Sequence, residues 1–192
     1  GQLLSVVADL LKKNVPLTLS PSSERAAMAW EKGARAFDAV GCAGCHRPSL
    51  RLESFAWHQP LAVGGTGVAV DVLADSQVLP SLDTLSYLQK GFDVPLFSDL
   101  ERHDLGPGLA EREEAGVPPS VFLTRPLWGL GDRGAGYLHD GRARTLGDAI
   151  RAHGGEASAA REKYEALPEL DRRAVDVFLL SLRRMPQVRF SP

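Results

Sequence analysis

The sequence predicts a mainly α-helical chain with long irregular loops and at most a short β-hairpin. Three observations carry this expectation. Apolar residues recur at three-four spacing over residues 23–40 and again through the last third of the chain. Between them, from Arg47 to about Pro126, there is little periodicity and much glycine and proline. The first periodic stretch runs straight into Cys42-Ala43-Gly44-Cys45-His46. A chain of 192 residues that is 44% hydrophobic and 24% charged can bury one good core, so one main domain is expected. Residues 23–192 form that domain in this reading, preceded over 1–22 by an amphipathic helix and a Pro/Ser linker.

In chain order, Leu3, Leu4, Val7, Leu10 and Leu11 share one face of a short helix ending near Asn14, and Val15 to Ser22 follow as the linker. Ser23 to Val40 reads as a helix with Ala27, Trp30, Ala34 and Phe37 on one face, stopped by Gly41. The middle region carries Gly64-Gly65-Thr66-Gly67, Gly106-Pro107-Gly108 and Pro118-Pro119. It is too long for an idle loop and is expected to hold a site or short hairpins. Thr66 to Val72 and Thr84 to Leu88 make a plausible strand pair. Thr145, with Asp148 three residues on, caps a helix that ends at Gly154-Gly155. Ser158 to Leu167 continues as another helix. Pro168 opens the last one, with Leu170, Ala174, Val177, Phe178 and Leu182 on a shared face.

The C-x-x-C-H pentapeptide carries the chemistry. Its two thiols are one turn apart and can add to both vinyl groups of a haem, and the histidine that follows faces the iron as proximal ligand. A helix leading into the motif is the arrangement of c-type cytochromes. The expected fold is therefore a cytochrome c-like helical haem domain holding one covalent haem c through Cys42, Cys45 and His46. Two rival uses exist: a thioredoxin-like dithiol, which wants the motif after a strand and opening a helix, and zinc, which needs two more ligands from His58, His103, His139 or His153.

Composition contradicts nothing. The formal charge of -2 comes from 22 basic and 24 acidic residues in mixed order, so no nucleic-acid footprint appears. No apolar run approaches the roughly 20 residues needed to cross a bilayer, and a soluble protein without a transmembrane segment is expected. The start at Gly1-Gln2 has no basic n-region, so no signal peptide is expected in the sequence as given: either a leader has been removed or the chain is an expressed piece. Covalent haem attachment points to a periplasmic or otherwise exported chain.

The sixth iron ligand separates an electron carrier from a catalyst. No methionine lies between the motif and the final helix; Met28 is upstream and Met185 beyond, and both read as core or surface residues. The remaining choices are His58, His103, His139, His153 or an open position. A lone histidine is more often a surface or hydrogen-bonded residue. His153 stands out because it closes a capped helix beside Ala149, Ile150 and Ala152, with two glycines after it that let backbone approach a flat macrocycle. In His139-Asp140-Gly141, the aspartate and a tight turn would fix the ring instead.

A family resemblance rests on Phe97-Ser98-Asp99-Leu100, His103-Asp104-Leu105-Gly106-Pro107-Gly108-Leu109-Ala110, Arg125-Pro126-Leu127-Trp128-Gly129-Leu130-Gly131, Leu138-His139-Asp140-Gly141-Arg142-Ala143-Arg144-Thr145-Leu146, Ala149-Ile150 and His153-Gly154-Gly155-Glu156-Ala157. From about Gly33 to Leu182 the chain resembles the C-terminal haem domain of the di-haem oxidoreductases, relatives of bacterial di-haem cytochrome c peroxidases and MauG-type enzymes. In those relatives a methionine or tyrosine after the His-Asp-Gly turn ligates the second haem. That position corresponds to His153, so the resemblance implies bis-histidine ligation by His46 and His153. It also implies that Arg142 and Arg144 could clamp haem propionates, though solvated arginines fit the same positions. Arg125 is a weaker candidate of that kind. Trp128 and Trp57 could pack on the porphyrin edge, or simply fill core, and His139 is expected to hydrogen-bond near the haem without ligating it.

The departure is that the family uses two C-x-x-C-H motifs and this sequence has one. An excised domain and a natural monohaem cytochrome both remain open. The favoured function is electron transfer through a single haem, to a redox partner protein or a second haem domain. The alternative is a peroxidase or other oxidoreductase, in which His153 leaves the iron or a partner supplies the second haem. A metal phosphohydrolase reading of His103-Asp104 and His139-Asp140 is weak, because a glycine follows each pair within two residues.

Overall fold

The computed structural model describes residues 16–18, 24–52, 56–59, 68–71, 92–113, 116–134 and 136–184. These fall into two compact units, one of residues 16–48 and 96–184, the other within 49–95. In chain order the elements are β1 (Pro16–Thr18), α1 (Glu24–Val40), a 3-10 turn (Cys42–Gly44), β2 (Leu50–Leu52), β3 (Ala56–Gln59), β4 (Val68–Asp71), β5 (Phe92–Val94), β6 (Arg102–Asp104), β7 (Val121–Leu123), a 3-10 turn (Leu130–Asp132), α2 (Leu146–Ala152), a 3-10 turn (Gly155–Ala157), α3 (Ser158–Ala166), α4 (Glu169–Leu180) and β8 (Leu182–Arg184).

The larger unit is built on the crossing of α1 and α4. Six alanines and no β-branched residue before Val40 let α1 run for 17 residues, until Gly41 takes a left-handed φ of 101° and ends it. Gly33 allows the two helices to touch, since a methyl there would lie 2.5 Å from the Ala174 carbonyl carbon and overlap its oxygen. Around this contact Phe37, Val40, Phe97, Leu146, Tyr164, Val175, Phe178, Leu179 and Leu182 form one buried cluster, with Trp30 and Ala34 packed against it. Phe178 sits at its centre. Its ring centroid is 5.3 Å from Phe37, 5.7 Å from Phe97 and 5.8 Å from Trp30, in tilted or edge-on arrangements. β1 pairs antiparallel with β8, and β6 with β7.

In the smaller unit β2 pairs with β5 and β3 with β4, both antiparallel. Among the described residues no helix is long and apolar enough to cross a membrane.

Helices thus carry the core of the larger unit, but several details differ from expectation. Instead of at most one hairpin there are, among the described residues, four two-stranded ladders, each strand only three or four residues long. Pairs this short leave no alternation to read in the sequence. β4 falls within the expected 66–72 strand, yet its partner is β3, whereas residues 84–88 lie outside the described ones. Part of the expected linker is strand β1, which is held by pairing with β8 rather than by its own composition. The helix expected over residues 3–11 lies outside the described residues. On α4 the buried face is Ala174, Val175, Phe178 and Leu179, while Leu170 is 73% exposed and Val177 41%. Ala27 on α1 is also exposed, because the crossing at Gly33 turns the α1 face toward Phe37 and Val40. Met28 is on the surface. The capping box at Thr145 is formed in full: its hydroxyl oxygen accepts from the Asp148 amide, and the Asp148 carboxylate accepts from the Thr145 amide.

Candidate functional site

The C-x-x-C-H residues follow directly on α1. After Gly41 the chain makes one 3-10 turn, the Gly44 amide donating to the Gly41 carbonyl at 3.1 Å and the His46 amide to the Cys42 carbonyl at 2.9 Å. Both cysteines are free and half-buried, and Cys42 and Ala43 pack against the core cluster. Burial pushes the Cys42 thiol up to about 11, with Cys45 adding to the effect against a backbone hydrogen bond. Burial also raises Cys45, followed by the Asp99 and Glu156 carboxylates. A redox dithiol needs the opposite, a thiolate favoured by a helix N-terminus or a nearby cation. Here the thiols follow a helix C-terminus, where the backbone dipole is negative.

His46 is oriented by Phe97. The Phe97 backbone sits in the left-handed region at φ 52°, where a bulky residue is strained. It is held there by its amide donating to the Pro48 carbonyl at 3.3 Å and by the Ser98 amide donating to the Arg47 carbonyl at 2.9 Å. The Phe97 carbonyl lies 3.0 Å from His46 Nδ1. A carbonyl can only accept, so Nδ1 carries the proton and the lone pair is on Nε2. Burial holds the His46 imidazole down at about 4 despite that bond, and neighbouring His153 lowers it further. The ring is therefore neutral at pH 7.

His153, a neighbour of His46, repeats the pattern of an Nδ1 held by a carbonyl. It is the C-cap of α2, and its Nδ1 donates to the Ala149 carbonyl one turn back at 2.7 Å. Neither Nε2 has a hydrogen-bond partner among the described residues. The two histidines are neighbours, each with Nδ1 committed to a carbonyl, which leaves Nε2 of each as the atom that could be offered to a haem iron. The free thiols of Cys42 and Cys45 stand beside one of them.

The other histidines are committed elsewhere. His103 gives Nε2 to Asp99 at 2.9 Å and Nδ1 to Glu156 at 2.8 Å. The Glu156 and Asp99 hydrogen bonds raise its pKa against burial, and a ring with a carboxylate oxygen at each nitrogen donates from both, as a bridging cation. Its approach to Cys45 and Asp99, with ligand atoms within 4.8 Å of one another, is the one triple that meets the spacing of a metal site among the described residues. With both ring nitrogens donating to carboxylates, it offers no lone pair. His139 stacks on Phe122 with centroids 4.8 Å apart, and its Nε2 lies 2.8 Å from Glu111. Asp140 is at 3.9 Å from it and turns mainly to Arg142. The side chains of Trp57 and His58 lie outside the described residues.

Arg142 is held by Asp140 and by the Gly108 carbonyl at 2.9 Å. Arg144 and Arg125 are exposed, and Trp128 is half-buried. The two glycines after His153 have a different purpose from the one read in the sequence. A methyl on Gly154 would stand 2.8 Å from the Leu105 oxygen, and one on Gly155 would be 2.7 Å from the Gly106 nitrogen and overlap the Asp104 oxygen. Protein backbone, not a macrocycle, fills the space over them. Asp99, Glu156 and the Phe97 and Ala149 carbonyls escape sequence reasoning. Asp99 and His103 share an i, i+4 spacing, but nothing local links them to Glu156, which is 53 residues beyond His103.

A family model described as "Di-haem oxidoreductase, putative peroxidase" matches residues 15–182. No curated protein and no solved structure matches the chain.

Proposed function

Because the chain belongs to the di-haem oxidoreductase family, we propose that it holds one haem c on Cys42 and Cys45, with iron between His46 and His153, and passes single electrons to a redox partner or a second haem domain. The family name calls for two haems, and these 192 residues contain one C-x-x-C-H motif. The observation that carries the reading is the matched pair of histidines, each with Nδ1 tied to a carbonyl and Nε2 left over. When bound, the haem supplies a one-electron iron couple.

The residues around it supply rigidity and exclude substrate. Phe97 and Ala149 fix the tautomer and plane of the two rings, so little rearranges when charge at the site changes. Two imidazoles leave no position for peroxide, which favours relay over catalysis. Arg142 is already engaged by Asp140 and Gly108, which leaves Arg144 as the better candidate for a propionate. His139 and Trp128 remain neighbours rather than ligands in this reading. Attachment of haem c belongs to exported chains, so a periplasmic or similar location goes with it.

The test is spectroscopic. The wild-type chain, matured in a host competent for cytochromes c, should carry haem through denaturation and be low-spin in both oxidation states. Its potential should lie below that of a comparable His/Met cytochrome. His153→Ala should become high-spin or water-ligated in the ferric state and gain only weak peroxidase turnover. A bare chain mass, or an unchanged low-spin spectrum in His153→Ala together with an altered one in His139→Ala, overturns the assignment. Efficient peroxide turnover by the unmodified protein would put the peroxidase reading first.

A further inference from the structure

Asp99, His103 and Glu156 form a bridge that the proposed function leaves unexplained. The Asp99 side chain is 3% exposed and accepts from His103 Nε2, while the half-exposed Glu156 accepts from Nδ1. A ring that donates from both nitrogens carries a proton on each, so the bridge is carboxylate, imidazolium, carboxylate.

Its two ends belong to the two halves of the site. At one end the Asp99 amide donates to the Cys45 carbonyl at 2.8 Å, and two residues earlier the Phe97 carbonyl holds His46. At the other, Glu156 lies in the 3-10 turn that follows His153, and its second oxygen accepts from the Asp104 amide at 2.9 Å. That turn is pressed against residues 104–106 with no room for a methyl at Gly154 or Gly155. His103 therefore stands between the segment that orients one histidine and the turn that follows the other.

We infer that His103 is a positioning residue for His153: through Asp99 and Glu156 it pins the 154–157 turn to the 97–104 segment and keeps His153 at the iron held by His46. This rests on the bis-histidine reading above. Without the imidazolium, a deeply buried carboxylate and Glu156 face one gap with no cation between them, and their repulsion loosens the turn. His153 then leaves the iron more often, and a small external ligand gains access.

Cyanide binding to the ferric holoprotein measures this, because at saturating cyanide the rate is set by departure of the internal ligand. His103→Ala should speed saturating cyanide binding by about tenfold or more, equivalent to about 1.4 kcal/mol of barrier, with covalent haem content unchanged. Glu156→Ala, a change at a half-exposed side chain, should do the same in smaller degree. His103→Arg, which keeps a cation with several donors for the two carboxylates, should recover much of the wild-type rate. A merely structural role would lower the melting temperature and leave the cyanide rate alone. If both alanine variants bind cyanide at the wild-type rate while His153→Ala binds fast, the inference on His103 is overturned and the ligand assignment stands. If the wild-type protein already binds as fast as His153→Ala, the sixth position is open and both fall.

Discussion

Replacing Gly33 by alanine sets two effects of known size against each other. Alanine is the better helix former by about 1 kcal/mol, so on propensity alone the variant gains. The structure opposes this. The new methyl would lie 2.5 Å from the Ala174 carbonyl carbon and 2.9 Å from Phe178 Cβ, where ordinary contact begins at 3.4 Å. These are backbone atoms and a Cβ, which cannot swing aside as a long side chain does. The helices α1 and α4 must part by close to an ångström, at an overpacking cost of about 1–3 kcal/mol. Parting them also loosens the Phe37–Phe178 and Trp30–Phe178 ring pairs, each worth ~0.5–1.5 kcal/mol. The net loss is on the order of 1–3 kcal/mol after the propensity gain. For a chain of this size that lowers the melting temperature by roughly 2–12 °C. Circular dichroism melts of Gly33→Ala and of Gly134→Ala check the reasoning, since a methyl on Gly134 meets nothing within 4 Å. A Gly33→Ala protein that melts at or above the wild-type temperature would refute the close crossing.

Thr145→Ala removes the capping box of α2 and should cost about 1 kcal/mol, seen as a lower melting temperature; an unchanged melt would mean that the cap contributes nothing. Stability should also depend on pH through the His103 bridge. His103 is raised by Glu156 and Asp99, so its contribution is full below its unfolded pKa of about 6.5 and is lost as pH rises through the higher folded value. Asp99 is lowered: burial works against its charge, but the Glu101 amide and His103 outweigh it. Glu156 is lowered by His103 and the Asp104 amide. Both carboxylates therefore contribute above their unfolded values of about 4 and lose that contribution as pH falls through the folded ones. The wild-type melting temperature should drop more than that of Glu156→Ala between about pH 6 and about pH 9, and parallel curves would show that the bridge does not titrate this way.

Local chemistry made part of the site legible. Cys42, Cys45 and His46 announce themselves by spacing, and Gly41 as a helix stop and Thr145 with Asp148 as a cap act within a few residues of where they stand. Trp30, Ala34 and Phe37 also pack as their periodicity indicates. On α4 the same reasoning selected Leu170 and Val177 for burial, and both are exposed. Periodicity locates an apolar stripe, but the choice of which residues within it face the core depends on how closely α1 approaches, and that is set by Gly33 on another helix.

The sequence by itself determined that a helix leads into a C-x-x-C-H motif and that His153 closes a capped helix, because these features depend on backbone propensity and on neighbours a turn away. Only the tertiary structure decided which nitrogen of each histidine is committed. His46 receives its carbonyl from Phe97, 51 residues distant, and His103 is closed off by Glu156, 53 residues on. Gly154 and Gly155 likewise took their purpose from Asp104, Leu105 and Gly106. A hydrogen bond holds between groups about 3 Å apart wherever they lie in the chain, so the partners that set a ligand's tautomer, charge and reach are decided by packing.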